Sequence, residues 1–393
     1  MPFHPNTGVA PAACVASPPR APLAFHAALP GYRPTPLRPL PELAGRLGLG
    51  GLWVKDESRR LGLPAFKVLG ASWAVARLLA QRLGIDEGAG DPGGGPTPDL
   101  EALKAALRPH LPLTLLAATD GNHGRAVARV AAWLGLGARI FVPAGTAPAR
   151  IAAIAGEGAD VEGVDGGYDR AVARAAQQSD ARHLLVQDGG AGGGEPVPQW
   201  VAEGYLTLFW EVEDQLRAAG EALPDLALVQ LGVGALAQAS VMAWRRPGLS
   251  RPPRLVGVEP DSAACVLAAL AAGAPVPLPG EQHSVMAGLN CGTASAVAFP
   301  WLRAGLDGVV TVRDELALEA MRLLAQAGVE SGETGAAGLA GLLELLEGSG
   351  SREARERLDL DADSRVLLLS TEGATDPQHW RLIVGQGARP ANG

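Results

Sequence analysis

The chain predicts an α/β protein built from two open parallel-sheet domains. Short apolar runs alternate with amphipathic stretches, glycine turns follow several of those runs, and 393 residues is a length that suits two domains. LTLLAATD (113–120) reads as a buried strand. GRAVARVAAWLGLG (124–137) reads as a helix with Val127, Val130, Ala131 and Leu134 on one stripe. ARIFVPA (138–144) and APARIAAIAGEG (147–158) repeat the pair, and ADVEGV followed by GYDRAVARAAQQS repeats it again. HLLVQD (183–188) is a further strand, and LALVQLGVGA, RLVGVEP and RVLLLSTEG continue the pattern. In open sheets of this kind, ligands bind beyond the carboxyl ends of the strands. Residues 1–41 are rich in proline and lack periodicity, which predicts an extended arm. Residues 87–99 and 347–359 read as flexible polar surface segments.

Composition excludes several classes. Hydrophobic residues make up 47% and charged residues 19%, a globular balance. The net charge of -8 and the lack of a basic run argue against nucleic-acid binding, which needs clustered Lys and Arg. Cys14, Cys265 and Cys291 are widely spaced, so neither a disulfide framework nor a metal cluster is expected, and the thiols read as structural. No apolar stretch reaches the roughly 18–20 residues of a membrane span. The first residues lack the pattern of a secretory signal, so a cytoplasmic location is expected.

Four segments carry chemistry. In KDESRRLGLPAFKVLGA, Lys67 lies just before an apolar helix. A helix amino terminus is electrostatically unfavourable for a cation, so that dipole and burial favour an uncharged, nucleophilic amine. In ATDGNHGR, glycines on both sides of Asn122 and His123 let backbone approach a flat ligand, and the Asn122 amide can donate to its oxygen. Asp120 adds a carboxylate to this turn; a helix cap is the alternative for both residues, and His123 reads as packing. LVQLGVGALAQA is a strand, a glycine turn and a helix, whose N–H groups suit a phosphate. It is neither a dinucleotide fingerprint nor a Walker loop, so NAD and ATP readings lose support. STEGATDP ends a buried strand in hydroxyls at Ser370 and Thr371, which also suit an ordinary turn. Trp133, Trp210 and Trp244 read as core.

Together and in this order, these segments resemble the fold-type-II, tryptophan-synthase-β-like pyridoxal-phosphate enzymes, over residues 30 to 385. Within that superfamily the resemblance narrows to the diaminopropionate ammonia-lyases through KDESRRLGLPAFKVLGA, DGNHG, VAEGYLTLFWEV, VMAGLNCG, ESGETGAAGL and STEGATDP. The resemblance implies pyridoxal 5′-phosphate held by Lys67 as a Schiff base. Asn122 would contact its phenolic oxygen, and Gly232, Val233, Gly234, Ala235 and Leu236 its phosphate. Ser370, or else Thr371, would face its ring nitrogen, where a hydroxyl favours β-elimination over transamination. The implied reaction converts 2,3-diaminopropionate to pyruvate and two ammonia. Lys67 and Asp120 would act as bases on opposite faces, with Asp188 also in the site. A homodimer is implied too, with a small domain at 72–189 inserted in a larger one formed by 1–71 and 190–393. The sequence departs from the family pattern at 189–194, which predicts a more mobile loop and a roomier pocket, and at Thr293, Ala294 and Ala374, where acidic residues and a proline of the family are replaced. A dehydratase or β-replacement enzyme is the neighbouring activity.

Overall fold

The computed structural model describes residues 2–10, 18, 20–85, 100–119, 121–189 and 196–385. Its strands, in chain order, are β1 (Phe3–Pro5), β2 (Leu37–Pro39), β3 (Gly51–Asp56), β4 (Thr114–Ala118), β5 (Gly137–Pro143) and β6 (Asp160–Val164). They continue with β7 (His183–Leu185), β8 (Leu226–Gln230), β9 (Arg254–Pro260), β10 (Gly308–Val312) and β11 (Arg365–Ser370). These form a seven-stranded sheet, β1-β10-β9-β8-β11-β3-β2, and a four-stranded sheet, β6-β5-β4-β7. The small sheet is wholly parallel, and so are the five central strands of the large one. Parallel strands covered on both faces read as continuous apolar runs. LALVQ of β8 is buried at every position.

The arm expected at 1–41 is not merely extended. Its described parts include β1 and β2, which pair antiparallel with β10 and β3 and close the two edges of the large sheet. The pairing is anchored by Phe3, whose ring lies where a Cβ on Gly308 would come within 2.5 Å. Between them, helix Ala21–Ala27 inserts His26, which is fully buried. Its ring contacts Thr207 Oγ1 at 2.7 Å and Leu69 O at 3.0 Å, and burial lowers its pKa to about 3, so the ring is neutral. The segment at 347–359 also differs from expectation, because helix Ser351–Leu358 runs through it. Ala354 and Leu358 are buried four residues apart, and Arg352–Glu356 and Glu353–Arg357 pair along the outer face. Trp210 and Trp244 are buried, whereas Trp133 is only half-buried. Residues 87–99 lie outside the described residues.

What positions the site is the packing of helix Val68–Arg82 against helix Pro196–Ala218. They approach at Gly70 and Gly204: a Cβ on Gly204 would lie 2.5 Å from Leu69 O, and one on Gly70 2.5 Å from Tyr205 Cε1. The apolar face of this pair joins a continuous core that runs from the small sheet (Ile140, Leu115) to one face of the large sheet (Ala227, Val229). The other face of the large sheet packs under helices Asp314–Gln326 and Glu333–Glu347.

The loop between β3 and helix Val68–Arg82 is anchored by a buried charge cluster. Arg60 donates to Glu57 and Glu211, and Lys55 donates to Glu211 Oε2 at 2.6 Å and to Thr35 O at 2.7 Å. All four charged side chains are within 2% of complete burial. Burial alone would raise Glu211, but Arg60 and Lys55 hold it at about 2. A charge network this deep persists because every member is paired.

Replacing Gly204 by Ala is expected to destabilise the protein by about 1–3 kcal/mol through overpacking against the Leu69 carbonyl. Gly45→Ala, in helix Pro41–Leu47 with no atom within 4 Å of the new methyl, should be neutral or slightly stabilising. Urea denaturation midpoints of both variants test the comparison.

Candidate active site

The carboxyl ends of β4, β8 and β11 open onto one cleft, of about 720 Å³ counting its open mouth. Lys67 occupies the N-cap position of helix Val68–Arg82, as the apolar run after it predicts. Its Nζ donates to Asp188 Oδ2 at 2.7 Å. The carboxylate offsets the unfavourable field of the helix amino terminus, a contribution the helix-dipole argument alone omits. Asp188 follows β7 of the small sheet, so this ion pair joins the two walls of the cleft. Tyr168 OH donates to Asp188 Oδ1 at 3.3 Å, and Gln187 Nε2 donates to Tyr168 OH at 2.7 Å. Burial alone would raise the Asp188 carboxyl; the charge of Lys67, helped by His123 and both hydrogen bonds, holds it well below the usual carboxylate range.

The turn after β8 supplies the second wall. Gly232, Val233, Gly234, Ala235 and Leu236 all line the cleft. Gly234 has φ +104, which favours glycine, and helix Ala235–Trp244 begins at the next residue. A Cβ at Gly232 would lie 3.1 Å from Gly288 O and 3.2 Å from Cys291 Sγ. The turn therefore brings bare backbone and a helix amino terminus to the ligand space, the donor arrangement an oxyanion or phosphate needs.

Asn122 and His123 open helix Asn122–Leu134 and line the same space. His123 is buried and its Nε2 contacts Val186 O at 2.8 Å, so it locks β4's turn to the strand end that carries Asp188. Asp120 lies outside the described residues; Thr119 and Asn122, on either side of it in this turn, line the cleft. The segment 190–194 is likewise outside them.

The end of β11 separates two hydroxyls that the sequence leaves equivalent. Ser370 Oγ donates to Ser331 Oγ at 2.9 Å and is not among the cleft-lining residues. Thr371 does line the cleft, and its buried Oγ1 has no hydrogen-bond partner among the described residues. Successive residues at a strand end face opposite ways, which is why one hydroxyl is satisfied inside the protein and the other is offered to the cleft.

Among the lining residues that escaped the sequence reading, two bond directly to residues it did name. Tyr168 stands in a segment whose helical periodicity hides its role, and Glu372 stands in a motif read for its hydroxyls. Glu372 accepts hydrogen bonds from the Asn122 amide and from Thr334 N. Beside the departure from the family pattern at Thr293, a carboxylate reaches the segment from another element: a Cβ on Gly292 would lie 2.9 Å from Asp169 Oδ2. Cys265 and Cys291 are buried thiols that form no disulfide among the described residues. Among the described residues no group of three or more His, Cys, Asp or Glu is placed to hold a metal ion, and no helix is long and apolar enough to cross a membrane.

A reactive amine, bare turn backbone at a helix start, a side-chain amide and an unpartnered hydroxyl fit an aldehyde-bearing aromatic phosphate. A model of pyridoxal-phosphate dependent enzymes matches residues 28–372. The diaminopropionate ammonia-lyase of Salmonella typhimurium is 37% identical over 376 residues, 93% of this chain and 91% of that one. The chain belongs to the diaminopropionate ammonia-lyase family. The Escherichia coli K12 member is 37% identical over 372 residues, 92% of this chain and 90% of its own. A crystal structure of the Escherichia coli enzyme in complex with D-serine superposes with a TM-score of 0.86 at 33% identity, covering 98% of this chain and 97% of that one. This family member is a fold-type-II, pyridoxal-phosphate-dependent lyase.

The Asp188 carboxyl is depressed in the folded state, so its contribution to stability is present above the ordinary carboxylate pKa and is lost as pH falls through the folded value. Asp188→Asn should therefore lower the stability of the cofactor-free protein at pH 7 and flatten its loss of stability below about pH 4. Urea midpoints at pH 7 and pH 3 for both proteins provide the measurement.

Proposed function

We propose that this enzyme catalyses α,β-elimination from 2,3-diaminopropionate, consuming one water and releasing pyruvate and two ammonia. The observation that carries this reading is the Lys67–Asp188 pair set against the glycine turn and the free Thr371 hydroxyl in one cleft. Pyridoxal phosphate, when bound, supplies the electron sink that makes the substrate α-proton removable and the β-amino group a leaving group.

The chain's own residues do the rest. Lys67 provides the amine for covalent attachment and the base for one face of the substrate. Asp188 fixes the position of that amine and, being ionised, is a partner for a substrate ammonium. Asn122 would donate its amide to the phenolic oxygen, and residues 232–236 would hold the phosphate. Thr371 is the better-placed partner for the ring nitrogen, because Ser370 is already bonded to Ser331. Asp120, two residues before Asn122 in the sequence, is assigned the proton on the opposite face. The domain boundaries near 71 and 189, a homodimer and a cytoplasmic location belong to the same reading and are supported by the family resemblance.

The holoenzyme given either stereoisomer of diaminopropionate should release pyruvate and ammonia in a 1:2 ratio, in a lactate-dehydrogenase-coupled assay. Pyruvate from serine or threonine but from neither diamine would overturn the substrate assignment. Lys67→Ala should lose the visible band of the bound cofactor and at least about 10³-fold in turnover. Asp120→Asn is expected to abolish turnover of one stereoisomer while sparing the other. Equal loss on both would remove Asp120 from the role of a face-specific base.

A further inference from the structure

Glu372 faces the cleft, is 2% exposed and has no part in the reaction assigned above. Its backbone is held from both sides. Its carbonyl accepts from Gly332 N at 3.0 Å, and it bridges to Ala65, two residues before Lys67. Glycines make room for it: a Cβ on Gly335 would lie 2.5 Å from its carbonyl oxygen, and one on Gly332 3.1 Å from Oε1. The carboxylate is thus held in one place. Oε1 accepts from Thr334 N at 3.1 Å, and Oε2 accepts from Asn122 Nδ2.

Both donors belong to the first turns of helices, Glu333–Glu347 and Asn122–Leu134, so two helix dipoles favour negative charge between them. Burial works in the other direction and raises the carboxyl, with Glu333 adding to it, while Arg150 and the two donors oppose. A carboxylate accepts and cannot donate, so only the nitrogen end of the Asn122 amide can face it. A helix cap alone would engage Thr334 through Oε1 and leave Asn122 out.

We propose that Glu372 is a positioning residue for the cofactor: by taking one amide hydrogen of Asn122 it fixes which way that amide is turned, and leaves the other as the donor to the phenolic oxygen. The proposal rests on the role given to Asn122 above. Glu372→Gln is the informative change. Its carbonyl can still accept from Thr334 N, but its amino group then faces Asn122, which must turn its oxygen to meet it.

The test is a double-mutant cycle read by cofactor binding to the apo-protein, followed by tryptophan fluorescence and by the position of the visible band. With Asn122 present, Glu372→Gln should weaken pyridoxal-phosphate binding about tenfold and move the band, as expected for one charge-assisted hydrogen bond. In an Asn122→Ala background the same change should alter neither. Equal losses in both backgrounds would show a structural cap and overturn the proposal. If Glu372→Gln does not fold, Glu372→Asp keeps a carboxylate but withdraws it by one methylene, and the same cycle applies with the same outcomes. A wild-type protein that binds no pyridoxal phosphate would overturn the underlying reading; an additive cycle in a protein that binds it normally overturns the positioning role alone.

Discussion

One ion pair unites the cleft: the Lys67 ammonium against the Asp188 carboxylate at 2.7 Å. The amine comes from the start of helix Val68–Arg82, packed on helices Pro196–Ala218 and Asn122–Leu134, and the carboxylate follows the end of a strand in the small sheet. Neither element could place its charged group there alone. A cation at a helix amino terminus is disfavoured, and a carboxylate buried to this extent is costly without a partner. Each removes the other's penalty, so the pairing holds the two walls in register and keeps the Lys67 nitrogen at the centre of the cleft.

That precision depends on stiff support behind it. Lys67 follows a loop that is pinned by Lys55, Glu57, Arg60 and Glu211, all charged, all buried and mutually bonded. Behind the helix, Gly70 and Gly204 let two backbones meet at a distance that no side chain would permit. His26 then ties the amino-terminal helix to both partners of that crossing. A reactive group is useful only if its surroundings prevent it from wandering, and here charge, close packing and a neutral buried imidazole share that task.

The chemistry offered by the cleft is weighted toward elimination by what it places at the strand end. The described ring of side chains near Thr371 presents a hydroxyl, and the one carboxyl beside it, Glu372, is engaged by Asn122 and Thr334. At the rim, Thr293 follows Gly292, where a Cβ would lie 2.9 Å from Asp169 Oδ2 on helix Tyr168–Gln177. Charge lost at one point of a loop is thus present in space from another element.

Much of the parallel architecture was legible in the sequence, because period-two and period-3.6 patterns are local and β8, β9 and β11 carry continuous apolar runs at their centres. The lysine before an apolar helix and the glycine turns could also be read directly, since each is a short-range requirement of backbone geometry. Residues 1–41 were misjudged because a three-residue strand shows no periodicity; only pairing with β10 and β3 makes Phe3–Pro5 and Leu37–Pro39 strands. The helix at 351–358 was hidden by its charge, and its stability comes from two buried residues and two ion pairs. Tertiary structure decided the remainder. It bonded Ser370 to Ser331 and left Thr371 lining the cleft, brought Asp188 to Lys67 across 121 residues of chain, and set Glu372 against Asn122 across 250. A sequence determines which residues can bond locally; which distant donor meets which acceptor is determined by how the two sheets close on each other.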